Sequence, residues 1–478
     1  MAPSKTPAIL AFDIGTSSLR TALFNLRGQR MRGSVAQESY ALRTDTEGAA
    51  ELDPHALLQA ASHALKKTLS FAQKENTRVR AAGTSCFWHS LLGTDRKGNP
   101  LTPVFTWADS RCKPDAARLR NALSERAIHK ETGCMLRTSF WPAKLRWLKR
   151  TQPKLFRSVA LWMSPAEWLQ WQLTGSATCG TGMATGTGLF DPTAQTWSRR
   201  MLEVCGIGEK NLLPLSNQPS SFQEAPWFPA IGDGAASNLG SDATTAGKGA
   251  INVGTSAALR VVKENQNLAR APLGLFCYRI DPTRTLIGGA VSNAGNLRAW
   301  CIRELRLPGN TDRIEKELTE RRLPKHGLSV LPYWTAERAP SWNEDQEGTI
   351  EGLTQATTAL DILQATTEAV YQRMALIASL IGKADRQAPE WVVSGGILHS
   401  PSSLQRLSNI MGCPLTVCEE QEASLRGAAV FALEQLGKKP ARLKPGRKFL
   451  PEPDAVEAYR KQRLTLRRLE ERFHSRFI

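Results

Sequence analysis

A chain of 478 residues is too long for one ordinary hydrophobic core and predicts two large domains. Its composition, 41% hydrophobic and 22% charged, excludes a disordered or fibrous protein, and no run of about 18 apolar residues predicts a membrane span. The net charge of +18 would suit a nucleic-acid-binding protein, but much of the excess lies near the C-terminus and no nucleic-acid-binding motif accompanies it.

The N-terminal segment predicts a strand, a turn and a second strand. The apolar stretch Ala8 to Phe12 is too short for a signal peptide and predicts a buried strand, and Leu19 to Phe24 predicts the second strand by its alternating polarity. The nine cysteines form no C-x-x-C pair and no zinc-binding spacing, which indicates reduced thiols. We therefore expect a cytoplasmic protein that binds neither membranes nor nucleic acid.

The turn between these strands has the residue types that phosphate handling needs. Asp13 supplies a carboxylate for Mg²⁺, and Gly15 allows close approach of the backbone. The hydroxyl and amide donors that follow are Thr16, Ser17 and Ser18. Taken alone, this motif is also typical of a strand-ending turn capped by Ser or Thr.

A single carboxylate, Asp233, lies among small residues in the segment Ile231 to Gly240. Small neighbours allow a substrate to approach the acid. As a general base, Asp233 would accept the proton of a substrate hydroxyl as that oxygen attacks a phosphorus atom, and it would also help to hold Mg²⁺. The alternative is a loop aspartate that forms an Asx-turn.

The strand–turn–strand pattern recurs at Gly249 to Val262, half a chain length after the first copy, and predicts an internal duplication. The turn residues of this second copy are Gly254, Thr255 and Ser256. Two such turns facing one cleft can hold the two ends of a triphosphate. Because Asn252 stands where Asp13 stands in the first copy, metal coordination is predicted for the first half only.

The small and polar segment Gly240 to Gly247 predicts a boundary between domains 1–245 and 246–440. Residues 441–478 are predicted as a basic helical tail packed on the body, since 13 basic residues stand against 5 acidic ones from residue 438 onwards. The apolar positions of the tail are Tyr459, Leu464, Leu466, Leu469 and Phe473.

Seven motifs, in order over nearly the whole chain, resemble signatures of the FGGY carbohydrate kinase family. They are the two phosphate turns, Gly232 to Gly234, Trp107 to Arg111, Glu337 to Pro340, Ser394 to Pro401 with Gln405, and Glu422 to Ala429. The usual glycine before the Glu337 motif is Ala336 here. The resemblance implies an α/β, two-domain, actin-like ATPase (ribonuclease H-like) fold with an interdomain cleft. It also implies phosphoryl transfer from ATP, with Mg²⁺, to a small polyol.

The resemblance also implies the residues that bind the nucleotide. Gly395, Gly396 and Ser400 would border the adenine and ribose, with backbone amides after the strand Trp391 to Ser394 facing ATP. A lone Gly-Gly pair would otherwise predict only a strand-to-helix turn. Glu422 is interpreted as a helix-start residue, because acids in a first turn favour the helix dipole.

For the sugar, the resemblance implies the first domain. Trp88 and His89 match positions at which relatives have a bulky residue and a histidine lining the polyol pocket. The alternative is a core tryptophan beside a hydrogen-bonded histidine. For Asp109 and Arg111, polyol binding and a local ion pair are both open.

The acceptor is expected to be a sugar acid. Gly274 to Arg279, Gly288 to Asn296 and Leu331 to Tyr333 resemble the gluconokinase branch, which implies D-gluconate and its 6-phosphate. The carboxylate of gluconate needs a strong donor, for which Arg111 and Arg260 are candidates by position. Xylulokinase-like and ribulokinase-like ketose kinases are the alternatives, a regulatory actin-fold ATP-binding protein is the non-kinase alternative, and a homodimer is left open.

Overall fold

The computed structural model describes residues 5–264, 271–308, 311–384 and 389–474. Two seven-stranded mixed sheets form the framework, one in the first half of the chain (residues 5–247) and one in the second half (residues 248–474). Among the described residues, no helix combines the length and the apolarity that a membrane span requires.

The strands of the first half are β1 (Thr6–Ile14), β2 (Ser18–Asn25), β3 (Ala36–Ser39), β4 (Leu42–Thr44), β5 (Ala50–Leu52), β6 (Thr77–Cys86), β7 (Leu92–Thr94), β8 (Val104–Phe105), β9 (Leu161–Met163), β10 (Phe190–Asp191), β11 (Thr196–Trp197), β12 (Ser220–Phe222), β13 (Ala225–Trp227) and β14 (Ile231–Gly232). Its helices are α1 (Pro54–Lys74), α2 (Lys113–Ala122), α3 (Glu125–Thr132), α4 (Trp141–Thr151), α5 (Pro153–Ser158), α6 (Pro165–Thr174), α7 (Thr181–Ala184), α8 (Arg199–Cys205) and α9 (Asp233–Gly240).

The strands of the second half are β15 (Lys248–Val253), β16 (Ala257–Glu264), β17 (Phe276–Arg279), β18 (Arg284–Val291), β19 (Ser329–Leu331), β20 (Thr349–Glu351), β21 (Glu390–Ser394), β22 (Leu415–Val417) and β23 (Lys448–Phe449). Its helices are α10 (Gly295–Glu304), α11 (Thr311–Glu320), α12 (Ala359–Ala384), α13 (Pro401–Met411), α14 (Ala423–Gln435) and α15 (Pro453–His474).

The strand β1 lies at the centre of the first sheet, whose order is β12-β13-β6-β1-β2-β3, with β14 also paired to β6. Helix α1 packs against β2, β3 and β6, while α14 packs against β1 and β6. A central strand with neighbours on both faces must be apolar along its length, which explains the run from Ala8 to Phe12, where every side chain is buried. The two strands predicted from the N-terminal sequence are confirmed.

The second sheet, β17-β18-β16-β15-β21-β22-β23, repeats the central pairing of the first. β1 is antiparallel to β2 and parallel to β6, as β15 is antiparallel to β16 and parallel to β21. Asp13 lies opposite Ser85, whose hydroxyl donates to Asp13 Oδ1 over 2.8 Å. Asn252 lies opposite Ser394 in the same way, and its Nδ2 donates to Ser394 Oγ over 3.1 Å. The predicted repeat therefore includes a hydrogen-bonded side-chain pair, in which the carboxylate of the first copy is replaced by a neutral amide in the second.

The segment Ile231 to Gly240 is ordered structure. Ile231 and Gly232 form β14, which pairs with β6, and Asp233 is the first residue of α9. The alternative of a loop aspartate in an Asx-turn is therefore wrong. The run of small residues is explained by packing, because α9 lies against α14 from the second half.

Helices α9 and α14 touch through their backbones. A Cβ atom added to Gly427 would lie 1.8 Å from the carbonyl oxygen of Ala236, and one added to Gly240 would lie 1.7 Å from that of Ala423. Only glycine fits at either position. Since α14 belongs to the second half in sequence and packs on the first, the two halves share this helix pair. The domain limits 1–245, 246–440 and 441–478 stay predictions.

Arg426 joins the two halves beside this crossing and is 1% exposed. Its guanidinium donates to the carbonyl oxygens of Gly28, Gly240 and Ala441 over 3.2, 2.7 and 2.7 Å, and it pairs with Asp242 over 2.9 Å. Every nitrogen of the group therefore has a partner, which compensates for the burial of its charge.

The C-terminal tail contains the helix α15, which packs against α13 and β19. Tyr459 and Leu469 are buried, whereas Leu464 is 50% exposed. The Tyr459 hydroxyl donates to Glu368 over 2.9 Å. The side chain of Phe473 lies outside the described residues.

Replacing Gly427 with alanine is expected to lower the free energy of unfolding by about 3 kcal/mol, because the methyl group would force α9 and α14 apart. Gly382→Ala in α12 is the matched control, since nothing lies within 4 Å of a Cβ atom there, and it should be neutral or stabilising by about 0.5–1 kcal/mol. Urea unfolding followed by circular dichroism measures both. Equal effects of the two substitutions would contradict the backbone contact between the helices.

Candidate active site

Two aspartates lie at the carboxyl edge of the first sheet. Asp13 and Ile231 both pair with Ser85 of β6, one from each side, and Asp233 follows two residues after Ile231. Burial raises the pKa of Asp13 to about 6, the Ser85 hydrogen bond opposes that shift, and the negative charge of Asp233 adds to it. Asp13 and Asp233, which are far apart in the sequence, are therefore close enough in the fold for their charges to interact.

Two arginines from the second half face Asp233. Burial raises the pKa of the Asp233 carboxyl, while the charge of Arg260, the hydrogen bond from the Gly234 amide over 2.7 Å and the charge of Arg338 lower it. Arg260 extends from β16, and Arg338 belongs to the motif Glu337 to Pro340. The carboxyl group is thus held in a buried but cationic environment, which suits a base that must be unprotonated at neutral pH.

Trp88 packs against the glycines on both sides of Asp233. The indole is 5% exposed and donates from Nε1 to the carbonyl oxygen of Gly182 over 2.8 Å. A Cβ atom on Gly232 would lie 1.8 Å from this ring, and one on Gly234 would lie 2.9 Å from it. The glycines that flank Asp233 are therefore required by the indole as well as by access to the acid. The burial agrees with a core tryptophan, and sugar binding by Trp88 stays a prediction.

His89 has one unprotonated ring nitrogen. Nδ1 lies 2.6 Å from the carbonyl oxygen of Gly186, which can only accept, so Nδ1 carries the proton and Nε2 is an acceptor. Burial lowers the pKa of His89 to about 3, so the ring is neutral. Phe140 and Tyr278 enclose it, with ring centroids 4.7 and 5.7 Å away. A neutral acceptor between aromatic rings suits a polyol hydroxyl.

Asp109 and Arg111 form the local ion pair that was one of the two alternatives. Arg111 Nη2 lies 2.5 Å from Asp109 Oδ2 and also pairs with Glu51. The guanidinium stacks on Trp147 at 4.6 Å from the ring centroid. Because both charges are compensated within the protein, polyol binding by this pair stays a prediction.

Two residues of the second phosphate turn and two of the three predicted adenosine residues line one cavity of about 690 Å³, whereas Ser256 and Gly395 are not among its lining residues. Gly254 and Thr255 contribute from the turn, Gly396 and Ser400 from the segment after β21. Gly254 N–H donates to the carbonyl oxygen of Ser256 over 2.9 Å and closes the turn. The structure therefore brings together residues that are about 140 positions apart in sequence, with the volume that a small ligand needs.

Gly395 makes the chain turn at the end of β21. Its φ of +93° lies in the region that favours glycine, and a Cβ atom there would lie 2.6 Å from the carbonyl oxygen of Val253. Ser400 is engaged within the protein, because its hydroxyl donates to Glu315 over 2.6 Å and accepts from the Ser403 amide over 3.3 Å. Ser400 thus caps α13, and direct ribose binding by its hydroxyl stays a prediction.

The first phosphate turn is closed in a similar way. Gly15 N–H donates to the carbonyl oxygen of Ser18 over 2.9 Å, and the Tyr40 hydroxyl donates to that of Gly15 over 2.5 Å. Trp107 Nε1 lies 3.4 Å from Thr16 Oγ1, and Ser17 is exposed. Thr16 and Ser18 are half-buried, and phosphate binding by the three hydroxyl groups stays a prediction.

Comparison with known proteins shows the family. Residues 8–224 match the N-terminal domain, and residues 249–435 the C-terminal domain, of the FGGY family of carbohydrate kinases. The chain belongs to this family.

Similar proteins differ in the sugar they are named for. This kinase is 27% identical to the gluconokinase of Bacillus subtilis (strain 168), with 91% of this chain and 88% of the relative covered. It is 24% identical to the xylulose kinase of Staphylococcus xylosus (89% and 90% covered) and 28% identical to the glycerol kinase of Thermus brockianus (93% and 94% covered). The kinase therefore acts on a sugar or polyol with ATP as donor, and these relatives do not settle which one.

Solved structures confirm the predicted two-domain, actin-like fold. The gluconate kinase from Lactobacillus acidophilus superposes with a TM-score of 0.88 at 24% identity, covering 97% of this chain and 98% of that one. The ligand-bound xylulose kinase from the same organism gives the same TM-score and identity, with 98% of both chains covered.

The two carboxylates fit a magnesium ion. Among the described residues, no group of three or more His, Cys, Asp or Glu side chains could hold a metal, and the two carboxylates predicted to hold one, Asp13 and Asp233, interact electrostatically. Mg²⁺ commonly takes one or two carboxylates and completes its shell with water and substrate phosphates. A cation here would also relieve the effect of Asp233 on the buried Asp13.

Three residues of this site were missed as individual candidates in the sequence. Ser85 lies three residues before Trp88, Tyr278 lies within Gly274 to Arg279, and Arg338 lies within the motif Glu337 to Pro340. That motif was the signal that could have identified Arg338. The contacts of Tyr278 with Trp88, at 5.0 Å between centroids, depend on how the halves meet and have no sequence signal.

The pKa of Asp13 predicts the acid limb of activity. As pH falls through about 6, the carboxyl becomes protonated and kcat/KM should fall, because the free enzyme then lacks one carboxylate for binding the metal ion. Ser85→Ala removes the hydrogen bond that lowers this pKa and should move the limb to higher pH. A profile of kcat/KM against pH for both proteins tests this, and identical limbs would contradict it.

Asp13→Asn should abolish turnover yet make the protein more stable above pH 6. The folded protein binds this proton near pH 6 and the unfolded chain near 3.8, so burial of the charge lowers stability above pH 6, and the loss shrinks as pH falls towards 4. In urea unfolding, the increase in the free energy of unfolding of the variant over the wild type should be up to about 2 kcal/mol larger at pH 8 than at pH 4.5. No pH dependence of the difference would contradict the burial of a charged Asp13.

Proposed function

We propose that this kinase transfers the γ-phosphoryl group of ATP to D-gluconate and forms 6-phosphogluconate. The observation that carries the proposal is the state of Arg260. Its Nε and Nη1 atoms are buried and have no hydrogen-bonding partner among the described residues. A guanidinium stays protonated at any physiological pH, and although the charge of Asp233 acts on it, its two unpartnered donors still need an acceptor, which the carboxylate of a ligand can supply.

The position of Arg260 favours a ligand over a structural role. A Cβ atom on Gly234 would lie 2.5 Å from Arg260 Nε, so the guanidinium reaches the residue next to Asp233. A sugar acid whose hydroxyl meets Asp233 can place its carboxylate near Arg260. Arg111, the other candidate, is already paired with Asp109 and Glu51, which leaves Arg260 as the better partner.

The reaction follows from the groups in the cleft. Asp233 takes the proton of the acceptor hydroxyl while that oxygen forms a bond to the γ-phosphorus. The bond from the γ-phosphorus to the bridging oxygen breaks, and ADP leaves with the electron pair. His89 Nε2 accepts a hydrogen bond from another hydroxyl and orients the acceptor.

The nucleotide is held by backbone and hydroxyl donors of the two turns, with Gly395, Gly396 and Ser400 around adenosine. Asp13 and Asp233 would hold Mg²⁺, which when bound neutralises phosphate charge. A cytoplasmic location and a homodimer remain predictions, as does the absence of nucleic-acid and membrane partners.

The acceptor is tested with a panel. We expect D-gluconate to give a higher kcat/KM than D-xylulose, D-ribulose or glycerol, because a neutral ketose leaves the buried guanidinium without an anion, and each 1.4 kcal/mol of that cost is about tenfold. A coupled assay of ADP release gives the ranking. If a neutral ketose is the best acceptor, the ketose kinase alternative replaces the gluconate proposal.

The carboxylate partner is tested by substitution. Arg260→Met should lower kcat/KM for gluconate by about 10²-fold or more while changing that for xylulose much less. Arg260→Lys keeps the charge, so its kcat/KM for gluconate should lie between that of the wild type and that of Arg260→Met. Arg111→Met is the competing variant, and a gluconate-selective loss there would transfer the role to Arg111.

The base is tested by Asp233→Asn. This nearly isosteric variant cannot take the proton, so turnover should fall roughly 10²- to 10⁴-fold while ATP binding by calorimetry is largely retained. Asp345→Asn, at a carboxylate exposed on the surface beside Lys113, is the control and should keep full turnover. Near wild-type turnover of Asp233→Asn on the best acceptor would exclude Asp233 as the base.

A further inference from the structure

Arg338 has a guanidinium that the proposed reaction does not yet use. Nε donates to Ser292 Oγ over 3.3 Å, and Nη2 donates to the carbonyl oxygen of Val291 over 3.1 Å. Within the described ranges the third nitrogen, Nη1, has no hydrogen-bonding partner, and no carboxylate forms an ion pair with the group. One donor of a fixed cation is therefore available to a ligand.

The contacts of Arg338 connect it to both phosphate turns. The guanidinium lies over Trp107, 5.0 Å from the ring centroid, and Trp107 Nε1 reaches Thr16 of the first turn. On the other side, Val291 pairs with Ala257, the residue directly after the second turn. Arg338 thus lies between the two turns that are expected to hold the ends of the triphosphate.

The charges around Arg338 place it beside the reacting groups. It lowers the pKa of Asp233, as Arg260 does, and burial together with Arg260 lowers its own pKa to about 10. It therefore remains protonated at neutral pH. Asp233 is the carboxylate that interacts with this half-buried cation, but no carboxylate in the described part of the chain hydrogen-bonds to it, so Nη1 can donate to an oxygen of a transferring phosphoryl group.

The backbone that carries Arg338 is held firmly. Glu337 pairs with Arg373 over 2.5 Å and accepts from the Ser341 hydroxyl, and the Ala339 amide donates to the carbonyl oxygen of Ala290 over 3.0 Å. The cation is thus positioned before substrates bind, as electrostatic stabilisation of a transition state requires.

We propose that Arg338 is a catalytic residue that binds the transferring γ-phosphoryl group through Nη1 and stabilises the negative charge on its oxygens. The step is the one already described: the acceptor oxygen bonds to phosphorus, the bond to ADP breaks, and the proton goes to Asp233. The proposal rests on the kinase reaction of the proposed function but not on gluconate as the acceptor.

Arg338→Met should lower kcat by about 10²- to 10³-fold on every acceptor, with KM for ATP and for the acceptor changed less than about threefold, because the contact forms in the transition state. Arg338→Lys should keep part of the activity. Arg322→Met, which removes an exposed guanidinium of the same half that pairs with Asp454, is the control and should match the wild type.

Two further measurements separate catalysis from folding. Wild-type enzyme with acceptor should bind ADP plus aluminium fluoride, a mimic of the transferring phosphoryl group, more tightly than ADP alone, and Arg338→Met should lose that gain. Added guanidinium ions should restore part of the turnover of Arg338→Met, which a structural defect would not allow.

The outcomes distinguish the proposed role of Arg338 from the proposal that D-gluconate is the acceptor. All variants are assayed on D-gluconate and D-xylulose. If the wild type prefers xylulose, the gluconate proposal is contradicted, but the role of Arg338 can still be tested with xylulose as the acceptor. A kcat within fivefold of wild type in Arg338→Met overturns the proposal. So does a loss confined to gluconate, which would make Arg338 a carboxylate ligand, or a loss that neither lysine nor guanidinium ions relieve.

Discussion

The placement of two half-buried carboxylates at one edge of a sheet is the constraint on which the rest of this site depends. The parallel pairing of β1 and β14 with β6 brings Asp13 and Asp233 to that edge, and burial raises the pKa of each. Removing a charge from water costs several kcal/mol unless other charges compensate it. Arg260 and Arg338 supply that compensation for Asp233 from the second half, while Arg20 of the first half lowers the pKa of Asp13, so the site is complete only where the halves meet.

This dependence explains why the packing around Asp233 allows so little variation. The indole of Trp88 lies under Gly232 and Gly234, and the helix that begins at Asp233 touches α14 through Gly427. A larger side chain at any of these glycines would move the base relative to the arginines. The small residues that surround Asp233 in the sequence are therefore a packing requirement as much as a route for substrate.

Much of the fold could be predicted because its signals are local. The strands at Ala8 to Phe12 and Leu19 to Phe24, the repeated turn at Gly254, and the helices after Ser400 and Glu422 each follow from short patterns of polarity, glycine and capping residues, and the structure has them. The motif order then identified the family that the comparisons show.

The parts that could not be predicted depend on contacts between distant segments. The pairing of Ser85 with Asp13 follows from strand register, and the engagement of Arg111 with Glu51 follows from how a loop folds back on β5. Neither is encoded in a nearby pattern. The same holds for Ser400, whose hydroxyl donates to Glu315 from another helix.

The contacts between the halves also constrain any movement of the cleft. Beyond the α9 and α14 crossing, the edge strand β17 binds the first half directly: Cys277 N–H donates to the Gly133 carbonyl oxygen over 3.0 Å, and Arg279 N–H donates to Thr185 Oγ1 over 3.0 Å. An opening that separates Asp233 from Arg260 and Arg338 has to break these bonds or bend β17 away from its sheet. Because such a motion would also expose two buried arginines and two carboxylates to water, the free energies of cleft opening and of charge pairing are coupled. Anionic ligands that engage the arginines should therefore favour the closed arrangement.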